Sequence, residues 1–156
     1  VSQAQVERVL GWVDEAKKAG AQVLVGGYGV NRSIAPTLLS EVPGTATISS
    51  SEVFAPVAVL QTFESDDEAI AMANDSDYGL QAGVFTKDLT AAFRISSAID
   101  AGAVWVNDSS RYRQDNYPFG GMKLSGVGRE GVQYAMEEMT ELKFVGFKLG
   151  PSPGIL

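Results

Sequence analysis

The sequence predicts an α/β fold, a layered sheet with helices on its faces. Short apolar runs alternate with amphipathic stretches through the middle of the chain. In the amphipathic stretches the apolar residues recur at spacings of three and four, the period of a half-buried helix. Glycine and proline mark the joints between segments.

Taken in order, residues 2–19 read as a helix. Val6, Val9, Leu10, Val13 and Ala16 fall on one face, Ser2 with Gln5 fits a capping box, and Gly20 fits a stop. Gln22–Val25 is a strand ended by Gly26 and Gly27, residues 28–32 are a turn, and residues 35–42 are a second strand broken by Pro43-Gly44. Pro56 leads into a strand over 57–63, and Ser65 with Glu68 forms another capping box for a helix over 65–73. A strand over 81–86 follows. Asp88 then caps a helix over 89–99 that turns Leu89, Ala92, Phe93 and Ile99 inward, and Gly102 ends it. Ala103–Val106 is a strongly apolar strand. Residues 128–139 form a helix burying Val132, Ala135, Met136 and Met139. A last strand spans 142–149, and residues 150–156 are a flexible tail.

Between the last two strands lies an irregular stretch, 108–124, rich in Gly, Arg, Tyr and Asp. In open α/β sheets ligands bind beyond the carboxyl ends of strands, so this stretch is the leading site by position.

Composition narrows the chemistry. With 45% hydrophobic and 20% charged residues, the chain suits one soluble globular domain. A net charge of -7 repels phosphate backbones, so nucleic acid is a poor partner. No apolar run approaches the ~18 residues that span a bilayer. The opening VSQAQVERVL has no basic n-region or apolar h-region, so no signal peptide is expected, and the expected location is the cytoplasm. That the chain starts with Val hints that it is a piece of something longer. Cysteine and histidine are both absent. Within this chain that excludes disulfides, thiolate chemistry and Cys-type zinc sites, and it removes the commonest general base and metal ligand; no metal is expected.

Three motifs stand out. Gly126-Val-Gly128-Arg-Glu-Gly131 has the spacing of a dinucleotide fingerprint. It follows a loop, however, and no acidic residue sits in a strand about 20 residues on, so a tight turn into a helix is the expected structure. Glu52-Val-Phe-Ala-Pro56 is either a plain turn into an edge strand or a nucleotide-sugar contact. In the second case Glu52 accepts from two ribose hydroxyls and Phe54 offers a flat face. The third, Tyr117-Pro-Phe-Gly-Gly-Met-Lys-Leu-Ser-Gly126, is preceded by Arg111 and Arg113. Phe119 and Tyr112 can wall an apolar pocket, and the arginines can hold a carboxylate or phosphate. The alternative is that both arginines are solvated or pair with Asp108 and Asp115.

Five blocks occur in one order: Glu52-Val-Phe-x-Pro56-Val, Asn74-Asp-Ser-Asp-Tyr-Gly-Leu80, Val84-Phe-Thr-Lys-Asp88, Gly102-Ala-Val-Trp-Val-Asn107, and Pro118-Phe-Gly-Gly-x-Lys123-x-Ser-Gly126-x-Gly128-Arg-Glu. Together they resemble the C-terminal region of the aldehyde dehydrogenase superfamily, over residues 2–148. The stretch from Asn107 to Gly121, with that from Gly128 to Glu141, resembles the branch acting on small polar or anionic aldehydes, such as lactaldehyde, phosphonoacetaldehyde and non-phosphorylating glyceraldehyde-3-phosphate dehydrogenases.

The resemblance implies NAD(P)-dependent oxidation of a small aldehyde, anionic or neutral, to the carboxylic acid through a cysteine thiohemiacetal. It places that cysteine and the Rossmann domain outside this chain, which alone is expected to be inactive. It makes Glu52 the carboxylate on the nicotinamide ribose and Phe54 the aromatic behind the nicotinamide ring. Asn107, the loop carrying Arg111 and Arg113, and Phe119 become the wall of the aldehyde channel. Residues 1–140 are then part of the catalytic domain, and 141–149 the strand that joins subunits into a homodimer or homotetramer. Two positions depart from the pattern. Ala55 stands where glycine is usual, which puts the cofactor turn in question, and Ser51 stands where a second glutamate is common. The competing reading is a stand-alone binding or oligomerisation module without catalysis.

Overall fold

The computed structural model describes residues 2–150. It divides into two units. One runs through Asp77 and adds Ser97–Ile99; the other takes Tyr78–Ser96 and the chain from Asp100 onward.

The first unit opens with helix α1, Gln3–Lys18. Ser2 caps it, its hydroxyl accepting from Gln5 N at 3.2 Å. The box is not reciprocal, because the Gln5 side chain instead donates to Val53 O. Val6, Val9, Val13 and Ala16 are buried as their spacing predicts, and Leu10 is half-buried. Strands β1 (Gln22–Val25), β4 (Thr37–Ser40) and β5 (Val57–Leu60) form one sheet in the order β1-β4-β5. β1 is antiparallel to β4, and β4 is parallel to β5 with Thr37 opposite Val57. Val13, Ala16, Leu39, Val42 and Ile48 make the core between α1 and this sheet.

The predicted turn at 28–32 is part of a small hairpin. β2 (Gly29–Val30) pairs with β3 (Ser33–Ile34), and Asn31 takes a left-handed φ of 54° between them. Asparagine tolerates that conformation better than most residues. A one-turn helix α2, Thr47–Ser50, was not predicted. It has no side-chain cap of its own; Glu15 of α1 accepts from Thr47 N at 3.0 Å and from its hydroxyl at 2.9 Å. Helix α3, Asp66–Asn74, is capped by Ser65, which accepts from Glu68 N. The Glu68 carboxylate reaches back one residue further than a box requires, to Glu64 N at 2.6 Å.

In the second unit β6 (Tyr78–Gly79) pairs with β9 (Met122–Lys123), and β7 (Gln81–Val84) runs parallel to β8 (Ala103–Val106). Helix α4, Leu89–Ala98, lies between the parallel strands β7 and β8 in sequence, as a strand–helix–strand crossover. Asp88 caps it, accepting from Thr90 N at 2.8 Å and Ala91 N at 3.2 Å. Helix α5, Val132–Glu138, starts later than predicted. The α/β class is as expected, with its strands distributed over one three-stranded and three two-stranded sheets.

Two expected burials fail. On α4 only Ala92 is buried, while Leu89 and Phe93 are 71% and 68% exposed. On α5, Val132, Met136 and Met139 are exposed. Amphipathic spacing identifies the face that seeks cover and cannot say whether the cover lies in the same chain. Residues 142–149 likewise enter no strand ladder among the described residues, and Leu142, Phe144 and Phe147 are exposed. The expected tail lies outside the described residues except for Gly150. Among the described residues no helix is long and apolar enough to cross a membrane.

Candidate functional site

Glu52 and Phe54 sit on the loop between α2 and β5, in the first unit. Both side chains are exposed, Phe54 at 78%. Between them Val53 points into the core, and its carbonyl accepts from Arg8 Nη2 at 2.8 Å and Gln5 Nε2 at 3.4 Å. The far end of the loop is tied to the sheet, where Thr37 N donates to Pro56 O at 2.8 Å. Thr37 is buried and fully used; its hydroxyl accepts from Gly27 N and donates to Ala35 O. The loop is therefore held at its middle and at its far end while its carboxylate and ring are exposed.

Phe54 has φ 48°. A bulky residue in the left-handed region is uncommon and strained, and such strain gathers at ligand sites. The left-handed residue is Phe54, and Ala55, which stands where glycine is usual, is outside the positive-φ residues and carries no left-handed strain. Ala55 and Pro56 also line an open apolar depression of about 490 Å³ with Val25, Pro36, Leu38 and Val57.

The other candidate residues belong to the second unit. Asn107 closes β8 with φ 59°; its backbone N donates to Val84 O at 2.7 Å. Its side-chain Oδ1 accepts from Thr86 N at 2.9 Å, which ties the ends of β7 and β8, and the residue is exposed. Trp105 of β8 meets the Tyr112 ring edge-on at 4.8 Å and Tyr117 at 5.7 Å, so the loop folds back over its own strand. Gln114 bonds to the Tyr112 hydroxyl within that loop.

The two arginines differ. Arg113 Nη2 pairs with Glu130 Oε2 at 2.7 Å, and its guanidinium carbon lies 4.1 Å from the centre of the Phe119 ring. Its partner is thus neither Asp108, whose carboxylate accepts from Ser109 N, nor Asp115. Arg111 is exposed, and its guanidinium takes no partner among the described residues. Phe119 and Glu130 also exchange backbone hydrogen bonds, 3.1 Å and 2.6 Å.

The glycine motif behaves as a turn. Gly126, Gly128 and Gly131 all have positive φ and lead into α5. Sequence reasoning missed Arg8 and Glu130. Arg8 reads as the solvent side of α1, and Glu130 lies inside the motif set aside as a turn; neither carries a local signal for a partner 45 or 17 residues away.

Residues 1–145 match the aldehyde dehydrogenase family. The chain belongs to that family. It is 43% identical over 145 residues to 3-sulfolactaldehyde dehydrogenase of Priestia megaterium, covering 93% of this chain and 30% of that protein. It is 45% identical over 145 residues to aspartate-semialdehyde dehydrogenase 1 of Pseudomonas canavaninivorans, covering 93% and 31%. Among solved structures it superposes on aldehyde dehydrogenase 21 of Physcomitrella patens in complex with succinate, with a TM-score of 0.86, 41% identity, and coverage of 90% of this chain and 29% of that one. For glyceraldehyde-3-phosphate dehydrogenase of Methanocaldococcus jannaschii complexed with NADP the values are 0.81, 41%, 90% and 30%. The chain spans 30% and 31% of the length of these two curated relatives.

Proposed function

We propose that the protein containing this chain oxidises a small anionic aldehyde to the carboxylic acid with NAD or NADP, through a thiohemiacetal on a cysteine outside these residues. The observation that carries this is the Glu52–Phe54 loop, pinned through Val53 and Pro56 with its carboxylate and ring left exposed. That arrangement fits a nicotinamide nucleotide. The Glu52 carboxylate accepts from both hydroxyls of a ribose, and the Phe54 face backs a flat ring. The nicotinamide, when bound, accepts a hydride. Because the loop is already held, little ordering is needed to bind it.

On the substrate side, Asn107 offers its amide NH2, Phe119 supplies an apolar wall, and the loop of Arg111 and Arg113 supplies positive charge. Arg111 is the guanidinium free to meet an anion. The relative named for 3-sulfolactaldehyde, whose sulfonate is anionic, supports that charge preference. Residues 141–149, which expose Leu142, Phe144, Val145, Phe147 and Leu149, join a neighbouring subunit as a strand in a homodimer or homotetramer.

One experiment tests the reading. The 156-residue chain and the full-length protein are each assayed with NAD and NADP against neutral and anionic aldehydes of equal length, the latter also as Arg111→Met. Only the full-length protein should turn over, because the chain has no cysteine. Arg111→Met should raise KM for the anionic aldehyde and spare the neutral one, the signature of a lost binding contact. Heat-labile turnover by the chain alone, or equal losses on both aldehydes, overturns it.

A further inference from the structure

We propose that Arg113 is a positioning residue, clamped by Glu130 against Phe119, that fixes the Phe119 wall of the aldehyde channel and leaves charge recognition to Arg111. This rests on the proposed reading of Phe119 as channel wall. Three contacts close a ring among three residues. The Arg113 guanidinium pairs with the Glu130 carboxylate at 2.7 Å. The same guanidinium lies 4.1 Å from the centre of the Phe119 ring. Phe119 and Glu130 then exchange both backbone hydrogen bonds, as an isolated antiparallel bridge.

Each contact alone is weak. The Arg113 side chain is 47% exposed and that of Glu130 66%, and exposed ion pairs contribute little. The ring gives them a common effect. The backbone bridge sets where the Phe119 Cα and the Glu130 Cα stand, and the side-chain ion pair brings a planar cation onto the ring that projects from the first of them. A guanidinium satisfies both demands at once, because its edge donates to a carboxylate while its face stacks on an aromatic; an ammonium does not. The ring is held further because Gly120, next to Phe119, packs backbone to backbone against Gly128, with no room for a Cβ. Arg129 clasps the same turn by donating to Gly121 O at 3.0 Å and Gly128 O at 2.6 Å. An arginine whose charge is met by Glu130 offers less to an anionic ligand than Arg111, which has no such partner.

The test uses the full-length protein and two readouts. In the first, Arg113→Met, Glu130→Gln and the double variant are assayed with neutral and anionic aldehydes. Clamping predicts that each single variant lowers kcat/KM several-fold on both aldehydes, and that the double variant is no worse than either single, since both remove one unit. A loss confined to anionic aldehydes in Arg113→Met, with Glu130→Gln unaffected, means Arg113 reads charge and overturns the proposal. Unchanged kinetics in all three variants also overturns it. In the second, timed trypsin digestion with mass spectrometry follows cleavage after Arg111 and after Arg113. The clamped side chain must leave Glu130 and Phe119 to enter the protease. Cleavage after Arg113 should therefore lag in the unaltered protein and catch up in Glu130→Gln, and no lag overturns the clamp. This readout needs no turnover, so it stands even if the proposed oxidation fails.

Discussion

Arg8 and Val53 are joined across the first unit: the guanidinium on α1 donates to the Val53 carbonyl at 2.8 Å while lying 4.1 Å over the Trp12 ring. The hydrogen bond fixes the middle residue of the Glu52–Phe54 loop from below. The stack fixes the arginine, so a surface position on α1 sets the height of a loop 45 residues later.

Arg8→Met in the full-length protein should therefore weaken cofactor binding although Arg8 is no cofactor ligand. The bond is made with or without cofactor, so its loss raises Kd only by the cost of reordering the freed loop, at most about tenfold for a bond worth about 1.5 kcal/mol. Titration calorimetry with NAD and NADP measures it. An unchanged Kd would show that the Thr37–Pro56 tie suffices to hold the loop.

Glu52→Gln should act directly. A charge-assisted bond to ribose is worth about 1.5–3 kcal/mol, so cofactor affinity or hydride transfer should fall about tenfold or more. The melting temperature should not change, because Glu52 is exposed and lies outside the core. If pre-steady-state hydride transfer and cofactor Kd both match the unaltered protein, Glu52 does not touch the ribose.

The bond between Glu15 and Thr47 predicts an acid limb of stability. Hydrogen bonds from Thr47 N and then from its hydroxyl hold the Glu15 carboxyl below its ordinary value of 4.5. A carboxyl with a lowered folded pKa stabilises the fold above its unfolded pKa, and that contribution is lost as pH falls through the folded value. Melting curves from neutral to acid pH should drop less steeply in Glu15→Gln than in the unaltered chain. Parallel curves would mean that solvent screens the interaction away.

Gly11 is a simpler case. It lies in the middle of α1, and a Cβ built on it meets nothing within 4 Å. Alanine there should stabilise the protein by about 1 kcal/mol through the lower entropy of the unfolded chain. A melting temperature that fails to rise would mean α1 is not limiting for unfolding.

Legibility followed locality. The buried face of α1 and the caps at Ser2, Ser65 and Asp88 were readable because helical period and capping depend on neighbours three or four residues apart. β2 with β3 and β6 with β9 were not, since two-residue strands carry no alternation. The faces of α4 and α5 were read correctly as apolar and wrongly as covered, because a stripe names no partner. Glu52, Phe54 and Phe119 were readable as candidates from their chemistry and their motifs, and the resemblance added Asn107. Their supports were not: Arg8 reaches Val53, and Glu130 reaches Arg113 past the nearer Asp108 and Asp115. Sequence proximity favoured the wrong carboxylates because loops fold back on distant turns.

The backbone stack in the second unit has an evolutionary consequence. A Cβ on Gly102 would stand 1.6 Å from Gly120 O, and one on Gly120 would stand 2.4 Å from Gly128 O. Both obstacles are main-chain atoms that no rotamer change can move aside. Every missense change at the Gly102 codon therefore meets the same collision, however small the new side chain. In a deep mutational scan, columns 102 and 120 should be dark from alanine to tryptophan, while column 44, where an added Cβ meets only open space, should be nearly blank.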